Sequence, residues 1–161
     1  MEIIAFASGK GGTGKTLMAS CLGYSLTRAG HRVLMVDGDP ATDGLSLFLL
    51  GRDGTQHIGS FEELNTFSGI LRHFAEGGKI SFEPRRINRT ESNESGGHGI
   101  SYQAVISSKA LYGDEQLLTK RLAVPDLEQE VFEKAVRLFF QELRESRAYD
   151  YVIVDTGGVR I

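Results

Sequence analysis

Eight consecutive residues, Gly9-Lys10-Gly11-Gly12-Thr13-Gly14-Lys15-Thr16, constrain the fold more than any other part of the 161-residue chain. They follow a short apolar run, Ile3-Ile4-Ala5-Phe6-Ala7, that reads as a strand buried on both faces, as in a parallel sheet. No proline interrupts Lys15 to Ala29. Leu17, Cys21, Leu22, Leu26 and Ala29 recur there at helical spacing, with Gly30 where a helix C-cap belongs. Strand, glycine loop and helix together satisfy G-x-x-x-x-G-K-[ST] in the context that this pattern requires. Glycines let the backbone wrap closely round an anion with its N–H groups turned inward, and the helix N-terminus adds a partial positive charge. In such a loop Lys15 reaches the β- and γ-phosphates of a nucleoside triphosphate, and the Thr16 hydroxyl ligates Mg²⁺.

The rest of the chain extends this start into one α/β domain over residues 1–161. Val33-Leu34-Met35-Val36 is a second apolar strand and completes a βαβ unit. Asp37-Gly38-Asp39-Pro40 follows it, placing two carboxylates at the carboxyl edge of the sheet, where open α/β sheets bind ligands. Carboxylates there can hold the waters of Mg²⁺ and orient an attacking water. Gly59 to Phe74 predicts a helix, and Ile100 to Ser107 a third strand. Asp126 and Gln129 form a capping-box pattern, and the helix behind it carries Leu127, Val131, Ala135, Phe139 and Leu143 on one face. Glu130 with Lys134 and Glu133 with Arg137 pair on its outer surface. Tyr151-Val152-Ile153-Val154-Asp155 has the form of a Walker B strand, four apolar residues delivering a carboxylate towards the metal. Ser81 to Gly99 has too little apolar content to fold alone and reads as a polar surface insertion. The expected architecture is three-layered, a mostly parallel sheet with helices on both faces.

Charge and composition exclude several alternatives. A net charge of −3 and a pI near 5.8 leave no overall electrostatic footprint for nucleic acid. Arg85, Arg86 and Arg89 could touch nucleic acid locally, but the stretch reads rather as a solvated loop. One cysteine, Cys21, allows no internal disulfide, and His31, His57, His73 and His98 lack zinc-ligand spacing. The start has no basic n-region, and no run of about 18 apolar residues occurs. The expectation is a cytoplasmic protein without a membrane span.

Lys10-Gly11-Gly12-Thr13-Gly14-Lys15-Thr16 resembles the deviant phosphate loop of the ParA/MinD family of ATPases, Lys10 being the lysine that makes it deviant. The resemblance implies ATP and Mg²⁺ as cofactors, bound by Gly9, Lys10, Gly11, Gly12, Thr13, Gly14, Lys15 and Thr16. It also implies an ATP-dependent homodimer in which Lys10 reaches the partner's phosphates. The family's switch motif is D-x-D-P-Q-x-N; this chain keeps Asp37, Asp39 and Pro40 but has Ala41 for the glutamine and Asp43 for the asparagine. Asp39 corresponds to the residue that positions the hydrolytic water, so Lys10, Lys15 and Asp39 form the implied catalytic set and Thr16, Asp37 and Asp155 the implied metal set. After Asp155, members usually continue with proline; here Thr156-Gly157-Gly158 follows, and Asp155 with Gly158 also fits the D-x-x-G of GTPases. Members also continue well beyond the Walker B strand, which implies that Ile161 truncates the fold. Contacts to DNA or an adaptor protein would then fall outside these residues. The resemblance favours a dimerisation switch for partitioning or cargo positioning. A metabolic ATP-dependent enzyme, or a module that holds nucleotide without turnover, are the alternatives.

Overall fold

In the computed structural model, which describes residues 1–39, 42–54, 66–78, 84–90, 99–106 and 129–158, the apolar runs become strands of a single sheet. Among the described residues these are β1 (Glu2–Ser8), β2 (Val33–Gly38), β3 (Arg85–Thr90), β4 (Gly99–Val105) and β5 (Tyr151–Gly158), in the spatial order β1-β5-β2-β4-β3. All neighbours are parallel except β3, which pairs antiparallel with β4. The helices are α1 (Lys15–Arg28), α2 (Gly44–Gly54), α3 (Phe67–Ala75) and α4 (Gln129–Ser146).

Alternation along the strands divides the core between two faces. Leu34, Val36, Val105, Val152 and Val154 pack against α3 and α4 through Ile70, Phe74, Ala135, Phe139 and Leu143. Val33, Met35, Ala104 and Ile153 turn the other way, onto Ala19 of α1 and Leu45 and Leu49 of α2. Phe139 is fully buried and meets the Phe67 ring edge-on, with centroids 5.5 Å apart, a favoured aromatic arrangement. The face expected for the last helix is therefore present in Ala135, Phe139 and Leu143, and Arg137 approaches Glu133 at 3.9 Å on its exposed side. Asp126 and Leu127 lie outside the described residues. At the opposite edge of the sheet from the phosphate loop, Arg32 joins the starts of β2 and β5. Its guanidinium donates to Asp150 Oδ1 at 2.7 Å, and this holds the carboxyl down at about 2.

Several expectations change. β1 is parallel but not buried on both faces: none of its residues is fully buried, because it is an edge strand of the described sheet, paired with β5 alone. α1 does not turn Leu17 and Cys21 inward. Leu17 is 61% and Met18 58% exposed, and the buried positions are Ala19, Ser20 and Gly23. Small residues face the sheet because the helix lies close to it: a Cβ built on Gly23 would sit 2.6 Å from Met35 Cε. Gly23→Ala should therefore destabilise the fold by about 1 kcal/mol. Overpacking against a fully buried Met35 costs roughly 1–3 kcal/mol, against a helix-propensity gain of about 1 kcal/mol at most. A urea midpoint at or above that of the wild type would show that Met35 moves aside freely.

The helix expected over Gly59 to Phe74 is observed only as α3, which begins after Thr66, whose side chain accepts the Gly69 N–H at 3.1 Å as an N-cap. The preceding residues of that expectation lie outside the described part. Within the expected polar insertion, Arg85 to Thr90 form β3. Backbone pairing to β4 stands in for the missing apolar content, and a charged sequence suits an edge strand. α2 was not anticipated at all, since glycines at both of its ends mask the Leu45/Leu49 spacing.

Candidate functional site: the phosphate loop and the carboxyl edge of the sheet

The loop between β1 and α1 takes its shape from two glycines. Gly12 and Gly14 have φ of 72° and 80°, a region costly for other residues. A Cβ at Gly9, Gly11, Gly12 or Gly14 would meet nothing within 4 Å. The inner hydrogen bonds are made by Ser8: its hydroxyl donates to the Lys10 carbonyl at 2.7 Å and lies 2.8 Å from Thr13 Oγ1. Lys15, half-buried, extends back along the loop, with Nζ donating to Ser8 Oγ at 3.1 Å. Over the loop opens a cavity of about 520 Å³. Gly11 to Leu17 line one side of it, and Asp39, Thr42, Gly44 and Phe48 the other. Gly9 and the exposed Lys10 do not line it.

The sheet brings the acidic residues to this loop. Because β5 lies between β1 and β2, Asp155 sits in register with Asp37 on one side and Phe6 on the other. The Thr16 hydroxyl donates to Asp155 Oδ2 at 2.6 Å, bridging loop and Walker B carboxylate. Asp155 Oδ1 is buried and has no hydrogen-bond partner. Burial pushes the Asp155 carboxyl up, as does the charge of Asp39, while Thr16 and Lys15 pull it down. Asp37, 1% exposed, is raised to about 6, chiefly by burial and further by Asp155, against the hydrogen bonds from Ser46 and Asp39. Its Oδ1 accepts the Asp39 N–H at 3.0 Å; its Oδ2 accepts the Ser46 N–H at 2.8 Å and the Ser46 hydroxyl at 2.7 Å. Asp39 stands at the cavity wall and accepts the Thr42 hydroxyl at 2.7 Å.

Thus Lys15, Thr16, Asp39 and Asp155 converge, and Asp37 lies behind them tied to main chain and Ser46. Lys10 does not join the group. Serines 8 and 46, Thr42 and Gly44 are part of the arrangement without having been singled out from sequence. A Cβ on Gly44 would lie 3.0 Å from Thr16 Oγ1, so the start of α2 is held against the loop. Asp43, which stands where the family motif has asparagine, is buried with φ of 50°. Asn and Asp are the non-glycine residues that best tolerate that region, so the replacement keeps the backbone role.

The donor set fits a divalent cation. A buried carboxylate oxygen lacking a donor, next to a threonine hydroxyl and near a second raised carboxyl, is satisfied by a hard cation that takes oxygen ligands. The glycine-rich loop, with Lys15 drawn back along it, fits the phosphates.

Together the parallel sheet, the glycine loop opening a helix and the carboxylate at the end of the neighbouring strand define a P-loop nucleotide-binding domain with helices on both faces. More narrowly, the chain belongs to the CobQ/CobB/MinD/ParA nucleotide binding domain family, whose model matches residues 4–144. It is 44% identical over 73 residues to an uncharacterized ATP-binding protein of Methanocaldococcus jannaschii, covering 44% of this chain and 28% of that protein. It is 48% identical over 40 residues to the chromosome partitioning protein ParA of Caulobacter vibrioides, 25% of this chain and 15% of that one. The structure of pNOB8 ParA superposes with a TM-score of 0.65 at 20% identity, covering 98% of this chain and 45% of that chain. The chain thus spans about half the length of that solved structure and a smaller share of the two relatives. Among the described residues no helix is long and apolar enough to cross a membrane.

Proposed function

We propose that this domain binds Mg-ATP and hydrolyses it as a nucleotide-dependent dimerisation switch of the cytoplasm, serving DNA partitioning or the positioning of another cargo. The observation that carries the reading is the Thr16–Asp155 hydrogen bond, with the unpartnered Asp155 Oδ1 beside it, because an oxygen without a donor near Lys15 of the phosphate loop supports a cation site there. In this reading Gly9 to Thr16 cradle the phosphates and Lys15 neutralises the β/γ oxygens. Thr16 and Asp155 would hold Mg²⁺, and Asp37, buried behind them, would add its charge to the site. Bound there, Mg²⁺ would supply charge stabilisation to the phosphate oxygens. Asp39, at the cavity wall, orients the attacking water.

Lys10 supports the dimer. Its side chain is exposed and does not line its own cavity, so its charge is available to a nucleotide held by a second copy. The partitioning role draws on the relatives: a structure of pNOB8 ParA bound to nonspecific DNA has a TM-score of 0.58 with this chain, and the Caulobacter relative is a chromosome partitioning protein. Contacts to DNA or to an adaptor protein are assigned to surfaces outside these residues.

Turnover of Mg-ATP by the full chain, with and without DNA, tests the reading; binding without turnover would reduce the domain to a nucleotide-holding module. Lys10→Ala tests the dimer. It should leave ATP affinity within about threefold of the wild type while eliminating the dimers formed with a non-hydrolysable ATP analogue. An unchanged dimer fraction in sedimentation would remove the cross-subunit role.

A further inference from the structure

We infer that Ser46 is a positioning residue of the hydrolytic switch, acting through Asp37 to hold the segment that carries Asp39; the inference rests on the hydrolysis proposed above. Asp37 ends β2 and Ser46 sits in the first turn of α2, nine positions later. Both are buried, at 1% and 0% exposure. One carboxylate therefore grips both ends of the intervening segment: Oδ2 takes the N–H and hydroxyl of Ser46, while Oδ1 takes the N–H of Asp39.

A helix N-terminus leaves its first N–H groups without partners inside the helix, and a local side chain ordinarily caps them. Here a strand residue, Asp37, accepts one of these N–H groups, which couples the position of α2 to the edge of the sheet. The segment is closed further by Asp39 itself, whose carbonyl accepts the Asp43 N–H at 2.9 Å and whose carboxylate accepts the Thr42 hydroxyl at 2.7 Å. Thr42 and Gly44 line the cavity with Asp39, and Gly44 lies against Thr16. A shift of α2 relative to β2 thus moves the main chain of Asp39 with respect to the phosphate loop. Ser46 is fully buried and is not among the residues lining the cavity; removing its hydroxyl strips Asp37 of one of its three donors and loosens the clamp.

The test compares Ser46→Ala and Ser46→Thr in the full chain, with Mg-ATP affinity, turnover and amide hydrogen exchange as readouts. Ser46→Ala should bind Mg-ATP within about threefold of the wild type and hydrolyse it roughly tenfold more slowly, the order expected for one lost hydrogen bond to a charged group. Ser46→Thr, which keeps the hydroxyl, should recover most of the turnover. In an Asp39→Ala background the Ser46→Ala change should have little further effect on turnover, because the two residues act as one unit; independent, multiplying losses would overturn the inference. Exchange of the Asp39 amide should quicken in Ser46→Ala while the amides of β5 stay protected. That readout needs no turnover. If the wild type binds ATP without hydrolysing it, the hydrolytic reading fails and so does the positioning role, whereas a quickened Asp39 amide would still establish the clamp. Unchanged turnover with unchanged exchange in Ser46→Ala overturns the role while leaving the hydrolytic reading intact.

Discussion

Lys15→Ala is expected to weaken Mg-ATP binding by about 10²- to 10⁴-fold. Each charge-assisted hydrogen bond contributes roughly 1.5–3 kcal/mol, and the lysine is placed to make two, to the β- and γ-phosphates. The preorganisation argues for the upper part of this range. Lys15 is half-buried and already drawn along the loop by Ser8 at 3.1 Å, so little side-chain entropy remains to be lost on binding. The fold should survive the change, since Ser8 keeps its bonds to Lys10 and Thr13 without it. Titration of wild type and mutant with Mg-ATP decides the matter. Equal affinities would show that the glycine loop is a turn without a phosphate, and with it the proposed function would fall.

Asp39→Ala is expected to act on a different step. In-line phosphoryl transfer depends on positioning and charge stabilisation more than on ground-state contacts. A variant lacking the water-orienting carboxylate should therefore bind Mg-ATP about as tightly as the wild type and hydrolyse it roughly 10²-fold more slowly. Asp39 suits this part better than Asp37. It stands at the cavity wall with Thr42 on its Oδ2, whereas Asp37 is 1% exposed and spends both oxygens on main chain and Ser46. Removing Asp39 also relieves part of the repulsion that raises the Asp155 carboxyl. Lost affinity with the turnover number intact would place Asp39 in the metal site instead.

The phosphate loop was legible in sequence because its parts lie within one strand, one turn and one helix. Spacing alone requires Gly14 to be followed by Lys15 and Thr16 at the start of α1, and the positive φ of Gly12 and Gly14 follows from close wrapping of the backbone. The buried strands β2 and β5 and the inner face of α4 were legible for a similar reason: an uninterrupted apolar run, or one apolar residue per turn, has few other ways to leave water. Periodicity read α1 only in part: Leu22 and Leu26 pack against the core, whereas Leu17 and Cys21 stay exposed and Ala19, Ser20 and Gly23 meet the sheet. Closeness to Met35 selects small residues there, and small residues leave little trace in a hydrophobic pattern. α2 and Ser46 left less still. The pairing of β5 between β1 and β2, which sets Asp155 in register with Asp37 and brings Thr16 to it, was settled only in three dimensions. Backbone N–H and C=O groups are the same at every position, so parallel strands far apart in sequence are ordered by the helices that must pack on both faces. The residues that carry the chemistry were therefore readable singly from the chain, whereas the orphaned oxygen of Asp155 and the three donors on Asp37 exist only once the sheet is assembled.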